Sequence, residues 1–322
     1  MDPITHAALG AAAAEAILFK RDKQGRSSVW LVGALAAMAP DLDIFINSNT
    51  DPMLALLFHR NFTHSLTFIP LGAALVTLGL MLFKRFRKNP WLTFLAALIG
   101  YATHGLLDAC TSYGTMLFWP FSETRVSWDI IAIIDPRFTT PLVLGTAWTV
   151  INKKRLGVFV GLSLAGLFML FNIYQHSRAM SVANTYAQEQ HLATNEFRVF
   201  PYLASSTLWR SAIISNNQIY VADILTPLFK KNQLSSVGVF PLFRQQQLPA
   251  EVMQSHSQLH DFTIFNWFCD GYVILAHQNP LILVDGRYLI NKNPTIALWG
   301  IQFVPGQPHV SSFSLIKLGI SK

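Results

Sequence analysis

Imidazole and carboxylate side chains recur at the edges of the apolar runs in the first half of this chain. His6 opens one run, Pro40-Asp41-Leu42-Asp43 interrupts the next near its end, and His59-Arg60-Asn61-Phe62-Thr63-His64-Ser65 leads into a third. His104 and Asp108 close a fourth run, and Asp135-Pro136 precedes a fifth. Mixed imidazole and carboxylate ligands suit Zn²⁺, Mn²⁺ or Fe²⁺, and suit Mg²⁺ less well. His104 and Asp108 stand four apart, so a helix would present both on one face, as two ligands or as a ligand and its orienting partner. Asp41 and Asp43 lie at a Pro-broken helix end, where the backbone can turn both carboxylates inward. The candidate ligands are therefore His59, His64, His104, Asp108, Asp41 and Asp43, with His6 and Asp135 next. They exceed the needs of one tetrahedral ion, and a two-metal site would use them better. Arg60 suits neutralisation of a carboxylate or an anionic substrate. Asp43, if not bound to metal, is a candidate general base. Plainer roles compete: His6 could hydrogen-bond a neighbour, Asp43 could cap a helix, and Asp135 could be a turn residue. Thr63 and Ser65 read as helix-start polar groups.

These residues need elements to position them, and the composition says what kind. The chain has 322 residues, 52% hydrophobic and only 13% charged, with net charge +7. A soluble domain carries about 25% charged residues. Disorder and a purely soluble enzyme are both disfavoured. Apolar runs extend over Ile4 to Phe19, Val29 to Ile46, Thr63 to Phe83, Trp91 to Cys110, Phe138 to Ile151 and Leu156 to Tyr174. Thr63 to Phe83 and Trp91 to Cys110 approach the ~20 residues that cross a bilayer core. The two nearest the N-terminus are short and hold polar residues, as spans lining a cavity or as helices entering partway.

Eleven of the fourteen Lys and Arg before residue 176 fall in three clusters, at 20–26, 84–88 and 153–155. Each cluster occupies every second connection. The positive-inside rule assigns all three to the cytoplasm and the alternate connections, the N-terminus and the tail to the outside. Every His and Asp named above then falls at an outward helix end or in an outward loop, although none was used to set the orientation. The basic residues cluster between apolar runs rather than among surface aromatics, which excludes a nucleic-acid partner in favour of membrane lipid. Cys110 and Cys269 form no CxxC, so a thiolate zinc site or disulfide framework is excluded. No basic n-region of a cleaved signal peptide opens the sequence, and no Gly-rich phosphate loop, GxSxG or HExxH occurs.

The tail differs in kind. Short β-branched and aromatic runs alternate with turn residues. Arg210 to Ile214 and Ile219 to Asp223 flank Ser215-Asn216-Asn217, a hairpin signal. Tyr272 to Ala276 pairs in the same way with Leu281 to Val284, and Trp299 to Val304 with Val310 to Leu318. Glu123, Arg125 and Asp129 read as an exposed face. His256 and His260 fall in an apparent loop, and His309 has no acidic partner at metal spacing. The fold expected is an α-helical integral membrane domain of about four to six membrane helices over residues 1–175. A helical stalk near 176–193 and a small β-rich extracytoplasmic domain would complete residues 176–322.

His6, Pro-Asp-Leu-Asp at 40–43, the segment 59–65 and His-Gly-Leu-Leu-Asp at 104–108 together resemble the YdjM/YbcI family of bacterial inner-membrane proteins. Thr111-Ser112-Tyr113-Gly114-Thr115, Pro120-Phe121-Ser122 and Ile134-Asp135-Pro136 resemble its longer members. The resemblance covers roughly residues 1–175. It implies a membrane-bound metal-dependent hydrolase, phospholipase-like in the family's description, and one member is linked to the LexA regulator. Asn61 stands where the family pattern HRGxTHS has Gly. The reading is a hydrolase of the bacterial inner membrane using one or two divalent ions, Zn²⁺ first and Mn²⁺ or Fe²⁺ next. Its substrate would be a phospholipid or lipid-linked phosphoester at the outer face, with Asp43 and Arg60 as catalytic residues. A metal or proton transporter or sensor is the alternative, because intramembrane His and Asp also mark ion pathways. A non-enzymatic membrane tether for a regulator is a third.

Overall fold

Three helices of the first half begin at an Asx-Pro pair, and the reason is local. Asp2, Asn89 and Asp135 each cap a helix N-terminus by accepting a backbone N–H, from Thr5, Leu92 and Arg137 respectively. Proline follows each as the first helical residue, where its missing N–H costs nothing. In this computed structural model, residues 1–20, 28–48, 50–193, 196–290 and 292–314 are described. The basic residues 21–26 and the last residues of the run ending at Leu318 lie outside them.

The helices of the first half are α1 (Pro3–Leu18), α2 (Val29–Met38), α3 (Leu54–Phe58), α4 (Ile69–Leu80), α5 (Lys84–Arg87), α6 (Pro90–Ala109), α7 (Pro136–Asn152) and α8 (Leu156–Glu189). Each of the six apolar runs is thus helical along most of its length. By length and composition, α6 and α8 suffice to cross a membrane. The bent pair Leu54–His64 and Leu66–Leu80 makes a third if counted as one span. The expectation of four to six exceeds this because α1, with 16 residues, rises only about 24 Å. The 10 residues of α2 rise only about 15 Å.

The chain divides into two compact units. The first comprises Met1–Asp43, Arg60–Ser177 and Phe200–Leu208. The second comprises Ile44–His59, Arg178–Val199 and Trp209–Lys322. In the first, α1, α2 and α6 touch backbone to backbone. A Cβ on Gly33 would lie 2.4 Å from the Gly10 carbonyl oxygen, and one on Gly100 would lie 2.2 Å from that of Gly33. Small residues permit such contact where lipid offers no hydrophobic drive between helices. Ala14, Val32, Ala36, Ala96, Ala97 and Tyr101 fill the core around it. Whereas α6 is largely enclosed, α8 turns Leu164, Leu167, Leu170 and Tyr174 outward.

The second unit is built mainly of sheet. Strands β1 (Glu196–Pro201), β2 (Leu208–Ser215), β3 (Gln218–Leu225) and β4 (Gln233–Leu234) follow one another, with β5 (Gly238–Pro241) also paired to β3. The predicted hairpin at 215–217 is the β2–β3 turn, with Asn216 and Asn217 both at positive φ, as a two-residue turn requires. Strands β6 (Val273–His277), β7 (Ile282–Asp285), β10 (Trp299–Gln302) and β11 (Ser311–Ser314) form a second sheet in the order β11-β10-β7-β6. Its antiparallel pairs match the other two predicted hairpins within the described residues. Between them, β8 (Leu289–Ile290) and β9 (Asn293–Ala297) pair alone. The segment around His256 and His260, read as loop from the sequence, is helical. After α9 (Ala250–Gln254), Ser255 caps α10 (His256–Phe268). Phe262, Ile264, Phe265 and Phe268 of α10 are buried, so tertiary burial stabilises a helix whose first turns are polar.

Candidate metal centre

Asp41, His64, His104 and Asp108 present one ligand atom each within 4.8 Å of one another. His64 and His104 face each other through Nε2 at 2.9 Å. Asp41 Oδ1 lies 3.5 Å from His64 Nε2 and 3.4 Å from His104 Nε2. Asp108 Oδ2 lies 3.4 Å from both. A tetrahedral ion with bonds near 2.1 Å separates its ligand atoms by about 3.4 Å. Three of the four side chains are fully buried; that of Asp41 is 22% exposed, which makes its side the open one.

Hydrogen bonds behind the rings fix what the inner atoms are. His104 Nδ1 sits 2.5 Å from the Ala37 carbonyl oxygen, which can only accept, so Nδ1 carries the proton. His64 Nδ1 faces Asp43 Oδ2 at 3.3 Å and Thr63 Oγ1 at 3.0 Å. A carboxylate behind an imidazole likewise holds the proton on Nδ1. As neutral rings, both then turn their Nε2 lone pairs toward each other and toward two carboxylates. Asp108 Oδ2 is buried without a hydrogen-bond donor. Four convergent acceptors in a buried space repel one another unless a cation lies among them, so the donor set fits a divalent ion.

Local backbone chemistry puts these atoms in place. His104 and Asp108 share a face of α6, as their spacing predicts. A Cβ on Gly105 would lie 2.1 Å from the His64 carbonyl oxygen, so only glycine allows α6 this close. Asp41 and Asp43 lie in the 3₁₀ turn Ala39–Phe45 that ends α2. Arg60 has φ 62°, and its backbone N–H donates to Asp43 Oδ2 at 3.0 Å. The left-handed residue of this turn is thus Arg60, whereas Asn61 has φ −91°. Asparagine is accommodated at 61 because the turn places no positive φ there.

The remaining predicted residues divide. His6 stacks on His104 with ring centroids 3.7 Å apart, and its Nε2 lies 3.3 Å from Asp108 Oδ1. Asp43 stands behind His64 and accepts also from Thr63 Oγ1 at 3.1 Å. Arg60 Nη2 lies 3.2 Å from Asp108 Oδ1, its Nη1 donates to Thr111 Oγ1 at 2.9 Å, and its Cζ lies 5.0 Å from the Tyr113 ring centroid. The Met1 amino group also meets Asp108 Oδ1. His59 is outside the four: it ends α3, in the second unit. Asp135 is outside them too; it caps α7 and binds the Arg137 guanidinium through both oxygens, at 3.0 and 2.7 Å.

Sequence reasoning missed several contributors. The Ala37 carbonyl carries no side-chain signal, and Gly105 is marked only by its place between His104 and Asp108. Thr63 and Thr111, taken for helix-start and loop residues, hold Asp43 and Arg60. Asp129 is buried rather than exposed, at φ 57°. In the second unit His309 does have an acidic partner, with Nδ1 3.0 Å from Asp261 Oδ2. Asp51 joins them as a second His/Asp group. Asp261 also accepts from Val310 N at 2.9 Å, so the pair ties the start of β11 to α10.

Comparison with known proteins places the first half. Residues 1–179 match the model of the YdjM inner membrane protein family. Inner membrane protein YbcI of Escherichia coli (strain K12) is 32% identical over 119 residues, covering 34% of this chain and 66% of that relative. The match thus spans just under two thirds of the relative's length. No solved structure matches the chain.

Proposed function

Because the chain belongs to the YdjM inner membrane protein family, we propose that its buried cluster binds one divalent ion and serves a hydrolase acting on a membrane lipid. The observation that supports this reading is the pair of imidazole Nε2 atoms 2.9 Å apart between two carboxylates. Asp41, His64, His104 and Asp108 hold the ion. Two imidazoles and two carboxylates favour Zn²⁺, with Mn²⁺ and Fe²⁺ next. One ion is proposed rather than two, because Asp108 Oδ1 already faces the Arg60 guanidinium. When bound, the ion supplies Lewis acidity to a phosphoryl or acyl oxygen and to water.

The other residues act by position and charge. Asp43 orients His64, and its oxygen is occupied by a backbone N–H and a hydroxyl, so it is a positioning residue rather than a ligand. Arg60 offsets the negative charge of Asp108 and is fixed by Thr111. Water and substrate reach the cluster from the Asp41 side. The basic turns at 84–88 and 153–155 support a cytoplasmic position for the opposite helix ends. The 20 residues of α6 separate the first turn from Asp108 by about 30 Å. This spacing supports a cluster at outer headgroup depth and, with it, a phospholipid or lipid-linked phosphoester as substrate; the same charge pattern supports an extracytoplasmic domain after α8.

Metal content of the purified protein, measured by elemental mass spectrometry beside His64→Ala and His104→Ala, tests the reading. One equivalent in the wild type, lost in both variants, is expected, with metal-dependent release of phosphate or fatty acid from lipid phosphoesters. No stoichiometric metal after add-back would overturn the site. Metal flux into proteoliposomes without product would replace the hydrolase by a transporter.

A further inference from the structure

The loop between β3 and β4 shows the solvent what proteins normally hide. Phe229 is 97% exposed and Leu228 is 55% exposed. Lys230 and Lys231 follow, also exposed. An apolar tip beside two lysines is the composition of segments that lie in a membrane interface, with rings among the acyl boundary and ammonium groups among phosphates.

The position of the loop along α8 supplies an independent argument. From Leu156 to Tyr174 that helix rises about 28 Å, close to the ~30 Å of a hydrocarbon core. Gln175, His176, Ser177 and Arg178 follow at once, so the apolar span ends at Tyr174. Arg178 lies about 6 Å further along the axis, at headgroup depth. It shares a helix face with Tyr174, four residues before it, and with the outward residues Leu167 and Leu170. Side chains on a helix lean toward its N-terminus, which here is the membrane side. The Arg178 guanidinium grips both shoulders of the loop. It donates to the Thr226 and Pro227 carbonyl oxygens at 3.4 and 2.8 Å and to Asn232 Oδ1 at 2.7 Å. The loop is therefore fastened to Arg178, four residues past the end of the apolar run of α8.

We infer that Leu228-Phe229-Lys230-Lys231 is a membrane-surface anchor: Leu228 and Phe229 enter the bilayer interface, and Lys230 and Lys231 meet anionic lipid headgroups. The anchor does not depend on the metal cluster or on hydrolysis. It acts on whichever side of the membrane α8 emerges, and it tethers the β-rich unit to the bilayer at a second point besides the helix.

Nitroxide depth measurement on the full-length protein tests this. Phe229→Cys is spin-labelled in a Cys110→Ser background, reconstituted in phosphatidylglycerol-containing vesicles, and compared with a label at Gln218→Cys in the exposed start of β3. Cys269 is fully buried, and the Cys110→Ser protein without a new cysteine gives the residual labelling. The label at 229 should collide with oxygen more than with a water-soluble nickel chelate, and the label at 218 the reverse. Lys230→Glu with Lys231→Glu should move the label at 229 toward water. A label at 229 as open to the nickel chelate as that at 218 would overturn the anchor. So would a label shielded from both reagents, which would mean a protein partner. An unchanged depth after charge reversal would overturn the headgroup role of the lysines.

Discussion

Asp285 and Asp108 are both fully buried, yet different partners fill their oxygens. Asp285 receives the Arg287 guanidinium as a fork, with Nε donating to Oδ1 at 3.0 Å and Nη2 to Oδ2 at 2.7 Å. The same guanidinium donates to the Phe268 carbonyl at 3.0 Å and to Asp270. Burial alone would disfavour the Arg287 charge, but Asp285 and Asp270 outweigh it and hold the group well above its ordinary pKa. Asp108 has the Arg60 guanidinium on Oδ1, while its Oδ2 has no hydrogen-bond partner and faces two imidazole Nε2 atoms. The difference teaches how to tell a structural buried carboxylate from a site. Where donors of the chain satisfy every oxygen, the group stabilises the fold. Where acceptors converge, the chain has left room for a cation from outside.

Breaking the closed cluster should have the largest effect on stability. Arg287→Met leaves Asp285 buried without its counter-charge and should cost about 3–5 kcal/mol. Chemical denaturation would report the loss, and metal content should stay at the wild-type value. Loss of metal in the same variant would show that the two clusters are not separate in kind. A smaller effect sharpens the open cluster. Asp43→Asn removes the carboxylate behind His64 and should weaken metal affinity by about 10–100-fold without abolishing it. Competition titration with a chelating dye measures this, and complete loss would make Asp43 a ligand. The smallest effect is expected from Asn61→Gly, which restores the family residue at a position with negative φ. Stability should change by less than about 0.5 kcal/mol and metal content not at all. A large gain would show strain at 61 that its φ does not reveal.

The six helical runs and the three hairpins were legible along the chain, because each depends on neighbours a few residues away. So was the pairing of His104 with Asp108, which needs only one turn of helix. The count of spans was less legible: α1 and α2, read as spans or as helices entering partway, have 16 and 10 residues and pack on each other and on α6 through Gly10, Gly33 and Gly100. α10 was read as loop: its first turns are polar (His256, Ser257, Gln258, His260, Asp261), and its apolar face of Phe262, Phe265 and Phe268 comes only after them.

Among the eight candidate ligands, His6 and Asp135 ranked behind the rest, but residue type and spacing alone could not separate Asp43 and His59 from the four that converge. His59 and His64 are five apart, yet the turn at Arg60 assigns them to different units. Asp135 finds Arg137 two residues away and is satisfied there. Sequence therefore determined which chemistry was available and which helix ends would carry it, since side-chain type and helical period are local properties. Tertiary structure alone decided which atoms meet, because a shared site depends on the packing of α6 against the His64 turn at Gly105 and on acceptors, such as the Ala37 carbonyl, that every residue possesses and no sequence marks.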